Sequence, residues 1–265
     1  MINFVYKKTY EFQDLLAILK VLRGPGGCPW DAAQTHESIR RNFLEEAYEA
    51  VDAIDTDDPH ALCEELGDVL MQVVFHAAME EEAGRFTLSD VTDGVCKKLI
   101  FRHPHVFGTA GAENVDAALV NWEAQKREEK GHRTTADTLD AVARALPALW
   151  RAEKIQSKAA KSGFDWPNPM GAVDKLSEET EELRRAVEAG NVDGPHGIGE
   201  EVGDVLFTVV KIARDAGVDP EEALNAASDK FARRFRHVEE AAAAPLDALS
   251  TERLTRLWQS AKEQS

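Results

Sequence analysis

Apolar positions along this chain recur mostly at helical spacing. Val202, Val205, Leu206, Val209, Ile212 and Ala213 step at i, i+3, i+4 and i+7, which predicts an amphipathic helix with one apolar stripe. Leu66, Val69, Leu70, Val73 and Ala77 repeat that stripe earlier in the chain. Alternating β-branched runs bounded by hairpin turns are hard to find, so the expected fold class is all-α. Gly and Pro cluster in 23–30, 164–171 and 190–199, where turns should separate the helices.

The pattern is also duplicated. LEEAYEAVDAI (44–54) resembles SEETEELRRAV (177–187), and EELGDVLMQVV (64–74) resembles EEVGDVLFTVV (200–210). KKLIFRHPHV (97–106) lines up with DKFARRFRHV (229–238), and Trp30 with Trp166, all at offsets of 132 to 136 residues. Matched blocks in one order are poorly explained by chance likeness of two acidic helices. They predict a tandem repeat of two helical-bundle domains. The connection, 108–135, holds a charged helix-like piece at 115–129 and then Gly131. The expected domains are therefore 1–130 and 131–265.

Charge narrows the partners. Thirty-one Lys and Arg against 48 Asp and Glu leave a formal charge of −17, which repels a phosphate backbone or an anionic membrane surface. No nucleic-acid or membrane partner is expected. No apolar run approaches the ~20 residues of a membrane span, and the N-terminus shows no secretory h-region. Cys28, Cys63 and Cys96 do not make a disulfide framework, so the expected compartment is the cytoplasm.

The acidic residues are arranged, not merely abundant. Glu178, Glu179 and Glu182 form E-E-x-x-E, and Glu201 with Asp204 forms E-x-x-D. Glu179 and Glu182 share one helix face, as do Glu201 and Asp204. Two such helices facing each other would gather four carboxylates, at a cost that cations must offset. Oxygen-only ligands suit Mg²⁺ or Mn²⁺ rather than zinc. A charge run is usually a solvated face, but Asp204 borders the apolar stripe and is expected to face the bundle seam. The constellation also recurs as Glu45, Glu46, Glu49, Glu65 and Asp68. A ferritin-like E-x-x-H occurs only at Glu129–His132, interrupted by Gly131, and a P-loop is absent.

Lys230, Arg233 and Arg234, at i, i+3 and i+4, would form a cationic clamp for phosphates or a basic surface face. Trp258 follows Leu254 and Leu257 at packing distance along a helix. Cys28-Pro29-Trp30 reads as a turn with a core tryptophan, His103 and His105 as a helix-ending turn around Pro104, and His76 as a packed side chain.

GCPWD (27–31) with Gln34 and Thr35, LEEAYE (44–49), ELGDVL (65–70) and RHPHVF (102–107) resemble the first half of the MazG family. LPALWRAEKIQSKAAKSGFDW (146–166), KLSEETEEL (175–183), EEVGDVLF (200–207) and DKFARRF (229–235) resemble its second half. The resemblance implies tandem all-α domains, a homodimer, and Mg²⁺-dependent hydrolysis of nucleoside triphosphates to monophosphate and pyrophosphate, as in clearing the nucleotide pool. It implies metal ligation by Glu179, Glu182, Glu201 and Asp204, with Glu46, Glu49, Glu65 and Asp68 as the first-half equivalents. It favours Lys175, Lys230 and Arg234 for the triphosphate and Trp258 as a platform for the base. Glu178 and Glu200 are candidate general bases. Phe101 stands where Arg233 aligns, so the second repeat is expected to carry most of the turnover. The competing readings are a narrower dUTP or dCTP pyrophosphatase and a non-catalytic acidic adaptor whose metal cluster only holds the bundle together.

Overall fold

A computed structural model describes residues 4–109, 111, 114–131, 133–166 and 168–263. His132 of the interrupted E-x-x-H lies outside the described residues. Among the described residues every regular element is helical, as the periodicity predicts. The chain divides into two compact units, Met1–Glu129 and Lys130–Ser265.

The first unit runs α1 (Phe12–Arg23), α2 (Pro29–Ala33), α3 (His36–Asp55), α4 (Pro59–Glu82), α5 (Leu88–Arg102), α6 (Pro104–Phe107) and α7 (Val115–Glu129). Its centre is the antiparallel pair α3 and α4. Side-chain caps fix where these helices begin. Thr35 accepts from the Ser38 N–H, Asp58 from the N–H groups of His60 and Ala61, and Thr87 from that of Asp90. Leu19, Ile39, Val74, Phe75 and Met79 form the core, with Leu15, Leu16, Leu22, Met71 and Leu88 packed around it.

A polar chain closes one end of α3 and α4. Arg85 donates to both carboxylate oxygens of Glu80, and His36 Nε2 lies 2.6 Å from Glu80 Oε1. These bonds hold the Glu80 carboxyl down at about 2, so it accepts and His36 Nε2 donates. The His36 and His76 Nδ1 atoms are 2.7 Å apart, with the rings stacked. Burial, and then the nearby His36, push His76 below the usual histidine range. In the neutral pair His76 Nδ1–H therefore donates to His36 Nδ1. His76 is packed, as its apolar surroundings suggest, and it is also wired.

The turn before α2 departs from expectation, because Trp30 is 63% exposed. Backbone contacts hold this turn instead of a buried indole. The Cys28 N–H donates to Leu22 O at 2.7 Å, Arg23 donates to Asp31 O at 2.6 Å, and a Cβ on Gly27 would lie 2.2 Å from Val21 O. His103 caps α5 and is followed by Pro104 at the start of α6, the helix-ending turn the sequence suggests.

The second unit runs α8 (Thr135–Asp140), α9 (Ala148–Ala160), α10 (Pro169–Ala189), α11 (Ile198–Asp215), α12 (Pro220–Ala241) and α13 (Thr251–Glu263), with a 3-10 turn at Leu246–Ala248. The pair α10 and α11 corresponds to α3 and α4. Asn168 caps α10, Asp219 caps α12, and Gly190 ends α10 in the left-handed region at φ 66°. Asp219 also accepts from Trp150 Nε1 at 3.0 Å, pinning α9 to α12. Val238, Leu257 and Ala261 pack α12 against α13, with Trp258 at the edge of that cluster. Lys211 is buried between Asp165 and Asp215, which ties the loop after α9 to α11.

Candidate metal centre

In each unit two long helices lie side by side and carry their glutamates on adjoining faces. In the second unit, carboxylate oxygens of Glu179 and Glu182 on α10 and Glu201 on α11 lie within 4.8 Å of one another. Glu179 and Glu201 are buried. In the first unit, Glu46 and Glu49 on α3 and Glu65 on α4 form the equivalent group. Helical spacing brings the α10 pair together, and the antiparallel packing supplies the third member.

The electrostatics of the two groups differ. Desolvation, followed by the charges of Asp68, Glu49 and Glu65, raises the Glu46 carboxyl. Glu65 is raised in the same way, by desolvation and then by Glu49, Glu64 and Asp68. These carboxylates crowd one another, and among the described residues no Lys pairs with Glu46, Glu49 or Glu65. In the second unit Lys175 stands 2.7 Å from Glu179 and 2.8 Å from Glu178, and these bonds raise its own pKa. Glu201 is 2% exposed, and no Lys or Arg pairs with it among the described residues. A carboxylate so withdrawn from water requires compensation. The donor set is oxygen only, which fits a hard divalent ion such as Mg²⁺.

Asp204 is placed differently from the sequence expectation. It lies on α11 beyond Glu201, is exposed, and is not in the three-carboxylate group. The expectation placed it at a covered seam. However, Val202, Leu206 and Val209 around it are themselves exposed within the unit, so no such seam shields it. Asp68, its counterpart, is half-buried, and its charge acts on Glu46. Glu178 holds Lys175, and Glu200 accepts the His196 N–H at 2.6 Å.

The basic residues lie on α12, with Lys230 and Arg233 exposed and Arg234 half-buried. Trp258 on α13 packs with its ring 5.1 Å from that of Phe231 on α12. In the first unit Arg102, aligned with Arg234, is buried, donates to Glu129 Oε2 at 2.7 Å and stacks over Trp122. Sequence reasoning missed His196, whose Nδ1 is 3.4 Å from Glu201 Oε1. A signal was present, since Pro-His precedes the paired glutamates in both repeats.

Paired helical hairpins that each gather three glutamates define an all-α repeat protein with a carboxylate centre in each unit. Residues 34–107 and 169–239 both match the MazG nucleotide pyrophosphohydrolase domain. Along nearly its whole length the chain is similar to two proteins named nucleoside triphosphate pyrophosphohydrolase. The one from Escherichia coli K12 is 44% identical over 96% of this chain and 98% of its own. The one from Thermotoga maritima is 41% identical over 95% of each. A longer, uncharacterized Bacillus subtilis protein, YabN, is 43% identical over 96% of this chain and 52% of its own length. The chain belongs to the MazG nucleotide pyrophosphohydrolase family.

Proposed function

We propose that the chain hydrolyses nucleoside triphosphates to nucleoside monophosphate and pyrophosphate with Mg²⁺, as a house-cleaning activity on the nucleotide pool. The observation that carries this reading is the Glu179–Glu182–Glu201 group, with oxygens within 4.8 Å of one another in a chain of this family. Glu179, Glu182 and Glu201, with Asp204 on the same helix as Glu201, would hold the metal. Bound Mg²⁺ supplies charge neutralisation for the phosphates and activation of a water. Mn²⁺ suits the same oxygens.

The rest falls to the chain's own side chains. Lys230, Arg233 and Arg234 bind phosphate oxygens, Arg in two-pronged fashion. Lys175 neutralises Glu178 and Glu179 in the free protein and would turn to the triphosphate if Glu179 held a metal ion. Glu178 or Glu200 takes the proton of the attacking water, and cleavage of the α–β anhydride releases pyrophosphate. Trp258 offers the exposed part of its ring to the base. The first-unit group Glu46, Glu49, Glu65 and Asp68 would hold metal with less turnover.

Homodimerisation belongs to this proposal. Val202, Leu206 and Val209 on α11, and Leu224, Phe231 and Phe235 on α12, remain exposed within their unit. Large apolar side chains left exposed on two successive helices favour self-association. No described helix is long and apolar enough to cross a membrane, which is compatible with a cytoplasmic setting.

Incubation of the purified chain with a nucleotide panel tests the reaction. With Mg²⁺ the products are nucleoside monophosphate and pyrophosphate, and with EDTA there are none. Orthophosphate plus diphosphate would sink the reading, because water would then have attacked the terminal phosphate. A panel response confined to dUTP or dCTP would select the narrower pyrophosphatase.

A further inference from the structure

Pro-His-x-x-x-Glu-Glu-x-Gly-Asp occurs twice, at 59–68 and at 195–204. The two copies place their histidine differently. In the first unit Asp58 Oδ1 accepts from the N–H groups of His60 and Ala61 at 2.9 and 3.1 Å, so α4 starts at Pro59. His60 is thereby wound into the first helical turn. In the second unit Gly194, at φ 98°, stands in place of Asp58 and offers no cap, and Gly197 and Gly199 replace Ala61 and Cys63. α11 begins only at Ile198. His196 is left in the turn at φ 56°, in the left-handed region that non-glycine residues rarely occupy.

That backbone directs the imidazole toward the carboxylates. The His196 N–H donates to Glu200 Oε2 at 2.6 Å, and its Nδ1 lies 3.4 Å from Glu201 Oε1. Ligand atoms of His196, Glu200 and Glu201 all lie within 4.8 Å of one another. Glu201 is buried without a Lys or Arg partner among the described residues, whereas the His196 side chain is 86% exposed. One side of the group is thus a withdrawn carboxylate and the other is open to solvent. Imidazole nitrogen beside carboxylates suits first-row transition dications, while Mg²⁺ prefers oxygen and water.

We propose that His196, Glu200 and Glu201 form a second, mixed nitrogen–oxygen metal site that takes Mn²⁺ or Zn²⁺ in preference to Mg²⁺ and shares Glu201 with the carboxylate centre. The proposal rests on the reading of Glu201 as a metal ligand. The first unit has the same residue types in His60, Glu64 and Glu65, but its earlier helix start keeps His60 out of such a group.

The test is metal binding by the chelator-stripped full-length chain, free of nucleotide. Calorimetric titrations with Zn²⁺, Mn²⁺ and Mg²⁺ are paired with pulsed electron paramagnetic resonance of the Mn²⁺-loaded protein, which detects a directly bound imidazole through ¹⁴N coupling. His196→Ala should weaken Zn²⁺ and Mn²⁺ binding by at least about tenfold, the lower end of what loss of even an outer-sphere partner costs. Mg²⁺ binding should be unchanged. The nitrogen coupling should vanish in His196→Ala and persist in His60→Ala. Because the oxygen-only groups also suit Mn²⁺ and give no such coupling, what overturns the proposal is a Mn²⁺-saturated protein with no nitrogen-coupled ion, coupling that survives His196→Ala, or equal Zn²⁺ affinity in the two proteins. Failure of the carboxylate reading looks different: the number of Mg²⁺ ions bound per chain would then be the same with and without Glu179→Gln and Glu182→Gln, instead of falling to what the first-unit group Glu46, Glu49 and Glu65 holds. A chain that binds none of the three ions defeats both.

Discussion

In the first unit Glu46, Glu49 and Glu65 face one another with no Lys paired to them among the described residues, and Asn42 stands where the second unit has Lys175. The second unit instead sets Lys175 against Glu178 and Glu179. The same contrast recurs elsewhere. Arg102 is held by Glu129 and Trp122 inside the first unit, while in the second Trp258 packs on Phe231 of α12, the helix that also carries Lys230 and Arg233. Phe75 belongs to an apolar core, whereas the aligned Lys211 is buried between Asp165 and Asp215. Duplication has kept the carboxylates in both units, and what differs is the set of cations around them. The oxygen-only donors of either cluster suit a hard divalent ion. Phosphate handling needs cations as well, and Lys175 beside Glu178 and Glu179 has no first-unit counterpart.

The largest effect should come from removing carboxylates one unit at a time. Glu179→Ala with Glu182→Ala should lower turnover by on the order of 10²-fold or more, about 3 kcal/mol of transition-state stabilisation. Glu46→Ala with Glu49→Ala should leave most of it, with both pairs assayed on one substrate. If the first-unit pair abolishes turnover and the second-unit pair does not, the assignment of roles to the units is reversed.

Acid should separate the units next. His76 is held below its ordinary 6.5, so the folded first unit resists charging it, and that unit loses stability as pH falls below 6.5. Glu80 is held at about 2 against an ordinary 4.5, so its contribution is complete above 4.5 and lost as pH falls toward 2. Both act in one direction. Relief of the raised Glu46 and Glu65 opposes them. Ile212 and Ala216 stand at the aligned positions in the second unit, which lacks this network. Hydrogen exchange between pH 7 and 4.5 should show the His36–Glu80 end of α3 and α4 opening before α10 and α11. Equal protection loss in both units would contradict the network's role.

The smallest effect concerns Gly203. It sits between Glu201 and Asp204 within α11, and an added Cβ would meet nothing within 4 Å. Gly203→Ala should therefore stabilise the second unit by up to about 1 kcal/mol. If substrate or metal approaches α11 there, turnover should fall as stability rises. Gly67→Ala, in equally open space, should raise stability with less effect on turnover. A Gly203→Ala protein that is both more stable and fully active would place the bound triphosphate away from this part of α11.

Much of the molecule was legible in one dimension. Helical periodicity, the duplicated E-E-x-x-E and E-x-x-D blocks and the charged helix at Val115–Glu129 all follow from local spacing, and the helices formed there. Glu179 with Glu182, or Glu46 with Glu49, meet because residues three apart share a helix face. What the spacing left open was decided by contacts between segments distant in sequence. Trp30 is exposed because backbone bonds to Leu22 hold its turn. Asp204 is exposed because the stripe beside it is not covered within its own unit. Arg102 is tied down because α7 brings Glu129 to it. His36 and His76, forty positions apart, meet only when α3 packs on α4. His60 and His196 occupy the same place in the repeat and differ in use, because an aspartate caps one helix and a glycine leaves the other to start later. Residue type and helical period are properties of the chain itself, so the sequence determined the helices and the chemistry they carry. Burial, counter-charge and the direction of a side chain depend on which segments come together, and only the tertiary structure decided those.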